Sequence, residues 1–452
     1  MDDSHIKTTT VSAAPTVSIE THGCKLNTAD SQRMATALTD HGYAIADVDE
    51  SPNVWVINSC TVTHVADKKA RQAISAARRK FPEALIVVAG CYVERDPETV
   101  AALVGVDLAI PNTAKHNAVD LISDRLGLKA TPCADGASAD TGFMLLGRSR
   151  ASVKIQEGCN QVCAYCIVPT VRGRERSIPT AEIVDEINSL ISGGAREVVL
   201  TGTQLGSYGF DLHNQSLSSM IATVLDETSI ERLRVSSLQP LEITDELLEL
   251  WTGIGANRLC AHFHVPLQAG SDRVLSTMRR RYTAEEYLAS LERIRAAVPD
   301  AAITTDVIAG FPGETDDEFQ RSVEIVAEAN YADVHIFPYS SRPGTSAAHF
   351  GGHLNPAIVA ERAARLREIG ARSFNAFRQQ LVGTTARVLW ERDEPSIGLT
   401  DSYVRAQLGS GQRSGRARVN SIEEVALIEF DGKVMLAEPL TNGTEAKPTV
   451  RI

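Results

Sequence analysis

The chain has 452 residues, with 45 lysines and arginines against 57 aspartates and glutamates, a formal charge of −12. Its 43% hydrophobic and 23% charged residues exclude a disordered chain and leave material for roughly three domains. Apolar runs such as 84–89 fall far short of the ~18–20 residues that span a bilayer, so no membrane partner is expected.

Residues 1–15 carry Asp2, Asp3 and three threonines and no apolar core. They are expected to form a disordered tail and no export signal, which makes the protein cytoplasmic. From 16 to 127 strands and helices alternate. Residues 17–20 read as a strand followed by a loop with Cys24, and 31–41 as a helix. Residues 54–58 read as a strand ending just before Cys60, 66–80 as a basic helix, and 85–89 as a strand ending just before Cys91. Three cysteines thus follow three strands of one open α/β domain. In such sheets the carboxyl ends of strands form the ligand crevice, so Cys24, Cys60 and Cys91 could converge there. They could equally be core residues, since cysteine is among the most buried types.

Residues 128–147 are rich in Ala, Asp, Gly and Ser and read as a linker, with Cys133 an incidental thiol. From 148 to 378 a strand-then-helix beat repeats six times, with strands at 151–156, 197–201, 232–236, 262–267, 303–309 and 334–337. Helices are expected at 180–192, 244–250, 271–278, 284–297 and 315–328, and one more runs to about 380. This pattern predicts an open (βα)6 partial TIM barrel with its chemistry at the carboxyl ends of the strands. Cys260 precedes the fourth strand in an apolar setting and reads as packing. Residues 379–442 then show short strands at 386–391, 403–408, 416–419 and 425–429, separated by Gly- and Ser-rich turns. They predict a small all-β barrel of a size used for nucleic-acid binding. Residues 443–452 are a tail.

Just past the first barrel strand stands Cys159-Asn160-Gln161-Val162-Cys163-Ala164-Tyr165-Cys166. Three thiolates on one tight loop do not match zinc, which takes four ligands, usually as paired C-x-x-C or with histidine. Iron–sulfur clusters take cysteine thiolates. Three ligands leave one iron of a 4Fe-4S cube open to the amino and carboxylate groups of S-adenosylmethionine, whose reductive cleavage yields a 5′-deoxyadenosyl radical.

At these residues the chain resembles the radical S-adenosylmethionine superfamily, and within it the methylthiotransferases over nearly its whole length. Further motifs carry the resemblance. They include Thr21-His22-Gly23-Cys24-Lys25-Leu26-Asn27, Asn58-Ser59-Cys60-Thr61-Val62-Thr63, Ala89-Gly90-Cys91-Tyr92, Val265-Pro266-Leu267-Gln268-Ala269-Gly270-Ser271 and Asp306-Val307-Ile308-Ala309-Gly310-Phe311-Pro312-Gly313-Glu314. His22 and Asp30 depart from the commoner choices. The C-terminal barrel resembles the TRAM module.

The resemblance implies a second 4Fe-4S cluster on Cys24, Cys60 and Cys91 that delivers sulfur. It also implies two S-adenosylmethionine molecules, one a methyl donor and one a radical source. A reductase and a sulfur donor are the further partners it implies. Thr201 and Gly202 match the family's contact to the S-adenosylmethionine amino group. Ser236 and Gln268 follow as cofactor-binding candidates from barrel geometry, and Tyr165 either packs on the cluster or adenine or fills ordinary core. Asp306 is a polar contact at the barrel mouth or a layer residue inside it. No catalytic side chain is expected beyond the cluster ligands.

The run Thr61-Val62-Thr63-His64-Val65-Ala66-Asp67 and the run Leu200-Thr201-Gly202-Thr203-Gln204-Leu205-Gly206-Ser207-Tyr208-Gly209 most resemble the branch that acts on threonylcarbamoyladenosine at position 37 of tRNA. Alternatives are the branches acting on isopentenyladenosine or on a ribosomal-protein aspartate, and a non-catalytic iron–sulfur RNA-binding protein. For tRNA contact the sequence offers basic groups at Lys68, Lys69, Arg71, Arg78, Arg79 and Lys80, at Arg172, Arg174 and Arg176, at 279–281, and at Arg405, Arg413, Arg416 and Arg418. Removing the chain after about residue 380 is expected to weaken tRNA binding and leave both clusters in place.

Overall fold

The computed structural model describes residues 14–46, 50–128, 142–392, 394, 396–409 and 418–440. Residues 1–13, most of the linker with Cys133, Arg413, Arg416 and the tail 443–452 lie outside the described residues. No described helix is long and apolar enough to cross a membrane.

The first unit comprises β1 (Thr16–Thr21), α1 (Lys25–Asp40), β2 (Ala44–Ile45), β3 (Val54–Ser59), α2 (His64–Lys80), β4 (Leu85–Gly90), α3 (Cys91–Arg95) and β5 (Leu108–Ile110). Its strands pair in parallel in the order β2-β1-β3-β4-β5. Val56, Val87 and Val17 pack one face against Leu38 and Ile122, while Ile57, Ile86 and Val88 pack the other against Ile74 and Val100. Burial on both faces explains why these strands read as continuous apolar runs. α1 starts six residues earlier than the sequence suggests, with Cys24 as its N-cap and no side-chain cap bond.

Within the expected linker, Gly142–Leu145 forms a helical turn on α1, with Gly142 N donating to Thr36 Oγ1 at 2.9 Å. Then follow β6 (Arg150–Lys154), the hairpin β7 (Gln156–Glu157) and β8 (Arg176–Ser177), β9 (Glu197–Thr201), β10 (Arg232–Val235), β11 (His262–His264), β12 (Ala302–Ala309) and β13 (Asp333–Pro338). Parallel pairing runs β6-β9-β10 and β11-β12-β13, and the bridges Leu233–Leu259 and Ser237–His264 join the two sets. The result is an open six-stranded parallel barrel whose edges are β6 and β13. Its outward residues, among them Val153, Leu200, Leu233, Val235, Phe263 and Ile303, form the main core with the surrounding helices. Their strand neighbours, such as Arg234, His262, His264 and Asp306, face the lumen, as the period-two alternation of a strand requires.

The first unit covers the open side of this barrel. α1 packs along β6, and Asp30 on α1 pairs with Lys154 at 2.8 Å. Arg342, just past β13, donates to Thr61 Oγ1 at 2.9 Å and to Asp67 Oδ2 at 2.8 Å. Both edges are therefore clamped to the same unit.

After the helix Pro356–Gln380 the chain forms β14 (Thr385–Trp390), β15 (Ile397–Thr400), β16 (Arg405–Leu408), β17 (Ile422–Phe430) and β18 (Met435–Pro439), a closed barrel in the order β14-β15-β16-β18-β17. Of the strand expected at 416–419, Arg418 and Val419 instead lie in a turn. β15 and β18 take the remaining places in the barrel. Arg232 and Arg234, buried on Glu197, donate to the carbonyls of Arg387, Leu399, Thr400 and Asp401 and fix this barrel to the larger one.

Candidate active site

Cys24 caps α1, Cys60 follows β3 and Cys91 opens α3 after β4, all at the carboxyl edge of the first sheet. They come together there. A Cβ on Gly23 would lie 2.9 Å from Cys60 Sγ, and Cys60 faces both Cys24 and Cys91. Burial first, then the neighbouring thiols, push the Cys60 thiol up to about 12. Arg172 Nε and Asn112 Nδ2 each donate to Cys91 Sγ at 3.3 Å.

Cys159, Cys163 and Cys166 occupy the excursion between β7 and β8. Gly158, at φ +80°, allows this loop to close: a Cβ there would lie 2.0 Å from the Arg174 carbonyl. The three thiols interact, and burial pushes Cys159 up to about 11 and Cys166 up to about 12. Gln161 N donates to Cys159 Sγ at 3.4 Å and Arg280 Nη1 to Cys163 Sγ at 3.4 Å. Each triad is thus a set of soft donors held close and supported by N–H groups. That is the donor chemistry iron–sulfur clusters take, and charge on the metal would compensate ionisation of the clustered thiols.

A cavity of about 490 Å³ fills the lumen. Cys24 and Lys25 line it from the first unit, Thr201, Gly202 and Ser236 from strand ends, and Tyr403 from the C-terminal barrel. A smaller cavity of about 180 Å³ is lined by Tyr165, Cys166, Gln268 and Val62, and it shares Asp306 and Phe337 with the larger one. The five residues named from sequence as cofactor contacts therefore line two adjoining cavities, with one cysteine of each triad, Cys24 and Cys166, in their walls. Gln268 has φ +66°, a strained conformation of a kind that collects at functional sites. The Tyr165 ring meets Phe311 edge-on at 6.5 Å, so it packs on the core and lines the cavity at once.

Asp306 lies inside the lumen. His264 Nε2 is 3.3 Å from one of its carboxylate oxygens and His335 Nδ1 is 3.1 Å from the other. Burial raises this carboxyl, but hydrogen bonds from the two rings outweigh it and hold it well below the usual range. Sequence reasoning missed both histidines. For His264 the signal was available, since it stands two residues from His262 on one strand and so shares its inner face.

Two basic groups have other work. Arg172 is buried and pairs with Asp30 at 2.8 Å and Glu157 at 2.6 Å. Arg280 donates to Gln239 at 3.0 Å as well as to Cys163. Arg172 is shut off from solvent, and half-buried Arg280 has its donors committed to the cysteine loop and Gln239. In the C-terminal barrel Arg405 pairs with Glu391 and Arg418 with Glu423, each at 3.3 Å, which offsets much of the local charge. On α2, Lys68, Lys69, Arg71 and Arg79 are exposed.

The Radical SAM superfamily model matches residues 153–326, and Uncharacterized protein family UPF0004 matches residues 16–110. The chain is 33% identical over 409 residues to the threonylcarbamoyladenosine tRNA methylthiotransferase MtaB of Bacillus subtilis, covering 86% of this chain and 89% of that protein. It is 35% identical to the enzyme of the same name from Aquifex aeolicus, covering 86% and 95%. Similarity extends to the tRNA-2-methylthio-N(6)-dimethylallyladenosine synthase of Mycobacterium bovis, 35% identical with 89% and 81% covered. Among solved structures, the radical S-adenosylmethionine methyltransferase TsrM of Kitasatospora setae shares the fold, with a TM-score of 0.51 at 16% identity over 72% of this chain and 74% of that one.

Proposed function

The chain belongs to the tRNA methylthiotransferases built on a radical S-adenosylmethionine domain, and we propose that it converts N6-threonylcarbamoyladenosine at position 37 of tRNA to its 2-methylthio derivative. As a member it is a transferase, and its radical S-adenosylmethionine domain implies S-adenosylmethionine and a 4Fe-4S cluster. We assign that cluster to Cys159, Cys163 and Cys166, and a second one to Cys24, Cys60 and Cys91. When bound, these groups supply a radical that takes hydrogen from an unactivated C–H and a methylthio group that replaces it, with two S-adenosylmethionine molecules consumed.

The observation that carries this reading is the shared lumen: Cys24 and Cys166 line adjoining cavities that meet at Asp306 and Phe337. Chemistry started beside one triad and sulfur held beside the other then reach the same substrate atom. Thr201, Gly202 and Ser236 hold S-adenosylmethionine at the strand ends, while Tyr165 and Gln268 bound it beside Cys166. The C-terminal barrel and the first unit close the lumen on two sides and keep bulk water from a reactive radical. Adenine C2 reaches such an enclosed site only from an unstacked loop base, which suits an anticodon loop. A cytoplasmic reductase and a small sulfur donor complete the reaction.

Two relatives that carry threonylcarbamoyladenosine in their names support the substrate branch. The experiment is anaerobic turnover of the reconstituted protein, with mass spectrometry of the tRNA nucleosides. A methylthio product on threonylcarbamoyladenosine is expected, whereas product only on isopentenyladenosine assigns the other branch. Cys60→Ala should still cleave S-adenosylmethionine to 5′-deoxyadenosine but give no methylthio product. A normal product yield from that variant would refute the sulfur-delivery role.

A further inference from the structure

Among the described residues, the lumen contains a cation whose partner is missing. Lys25, next in sequence to Cys24, lines the 490 Å³ cavity, and its side chain makes no ion pair among the described residues. Its Nζ stands 5.7 Å from the centre of the Tyr403 ring, a cation–π contact that holds the ammonium in place without supplying a counter-charge. The cations nearby are already engaged: Arg378, which lines the same cavity, donates to the carbonyls of Ala332 at 2.9 Å and Phe374 at 3.1 Å. Arg234 is committed to Glu197 at 2.9 Å and to the carbonyls of Thr400 and Asp401, and Arg150 faces Glu391 at 3.9 Å. The lumen carboxylate Asp306 is engaged too, by His264 and His335.

We propose that Lys25 is the receptor for the carboxylate of the threonylcarbamoyl group, and so the residue by which this site selects a carboxylate-bearing adenosine. The inference rests on the substrate branch proposed above and supplies its physical basis. A half-buried ammonium with open donors gains a charge-assisted hydrogen bond from a carboxylate. An isopentenyl group, which is uncharged and cannot accept a hydrogen bond, would cover the half-buried ammonium without pairing it, at a cost. Discrimination by one unfilled polar group is the strongest kind a pocket offers. The position is apt, since Lys25 adjoins the cysteine that faces the lumen. A base brought there for chemistry at C2 would carry its N6 substituent into the same cavity.

The test uses the anaerobic holoprotein and three anticodon stem-loops. One carries threonylcarbamoyladenosine, one the same nucleoside with its carboxylate converted to the neutral carboxamide, and one isopentenyladenosine. Wild type should bind the acid at least about tenfold more tightly than the amide. Lys25→Met, checked for unchanged iron content, should bind acid and amide alike, near the wild-type affinity for the amide, and Lys25→Arg should restore part of the preference. The acid–amide comparison in wild type needs no variant to fold. Equal binding of acid and amide by wild type, with the acid still methylthiolated, overturns the role of Lys25 and leaves the branch intact. Product on the isopentenyl stem-loop alone overturns the branch, and the receptor with it. A Lys25→Met protein that keeps the full acid preference also overturns the assignment.

Discussion

Asp30 accepts hydrogen bonds or ion pairs from Lys115 at 2.9 Å, Lys154 at 2.8 Å and Arg172 at 2.8 Å. Burial raises its carboxyl, but the three cations outweigh that and hold it far below the usual range. Because the folded pKa lies below the unfolded value of about 3.9, the stability it contributes is present above that pH and is lost as pH falls further. Asp30→Asn leaves Lys115 without its carboxylate and leaves Lys154 and Arg172, the donor to Cys91, to share Glu157 alone. Loss of about 3–5 kcal/mol is expected, read as a lower urea midpoint of the anaerobic holoprotein near pH 7. Glu242 behaves oppositely. Burial pushes it up to about 7, against hydrogen bonding from Gln239 N and the charge of Arg280. Between pH ~4.5 and ~7 the folded chain keeps this proton and the unfolded chain does not, so stability falls as pH rises through that window. Glu242→Gln should flatten that fall and gain roughly 1–3 kcal/mol at pH 8 relative to wild type, and an unchanged pH slope in denaturation would exclude it. Neither residue was legible as a centre from sequence. Asp30 read as a motif departure and Arg172 as a phosphate contact, because a run of charges does not reveal that its partner lies 142 positions away.

At the scale of elements the six barrel strands and the three cysteines of the β7–β8 loop were legible, since buried parallel strands and a C-x-x-x-C-x-x-C cluster both leave strong local patterns. The start of α1 was not. Cys24 replaces the usual Ser, Thr, Asp or Asn cap and makes no side-chain bond to the helix, so the sequence lacks the signal that marks a helix start. β15 and β18 were missed because their four or five residues show no clear alternation, whereas β16, equally short, follows the alternation of Val404, Ala406 and Leu408. The loop itself yields a separable prediction. Its cysteines lie on the hairpin excursion, while Cys24, Cys60 and Cys91 lie on the first sheet, so replacing Cys159, Cys163 and Cys166 together with Ala should halve the iron and leave the other cluster bound. Loss of all iron from a folded triple variant would defeat the two-site assignment.

The whole molecule is held by interactions that cross between its parts, and these change what truncation and surface mutation are expected to do. Arg232 and Arg234 are at most 1% exposed and share the single carboxylate of Glu197. Their remaining donors end on backbone carbonyls of the C-terminal barrel. Truncation after Gln380 would strip those acceptors from two buried cations and remove Tyr403 from the lumen wall. The expected outcome is a destabilised radical S-adenosylmethionine barrel, with a lower melting temperature and poor cluster retention, rather than an intact enzyme that grips RNA less well. The tRNA grip is therefore better tested on the outside of α2, where Lys68, Lys69 and Arg79 are exposed and the apolar face of Ala70, Ile74 and Ala77 is turned to the sheet. Changing Lys68, Lys69 and Arg79 to Glu should leave the iron content and the fold unchanged, because no side of the core is touched. If these residues meet phosphates, affinity for tRNA should drop and its log–log dependence on salt should flatten by roughly 0.7–0.9 for each phosphate no longer neutralised. Unchanged affinity and an unchanged salt slope would move the RNA footprint elsewhere, to the exposed Arg174 and Arg176 beyond the cysteine loop.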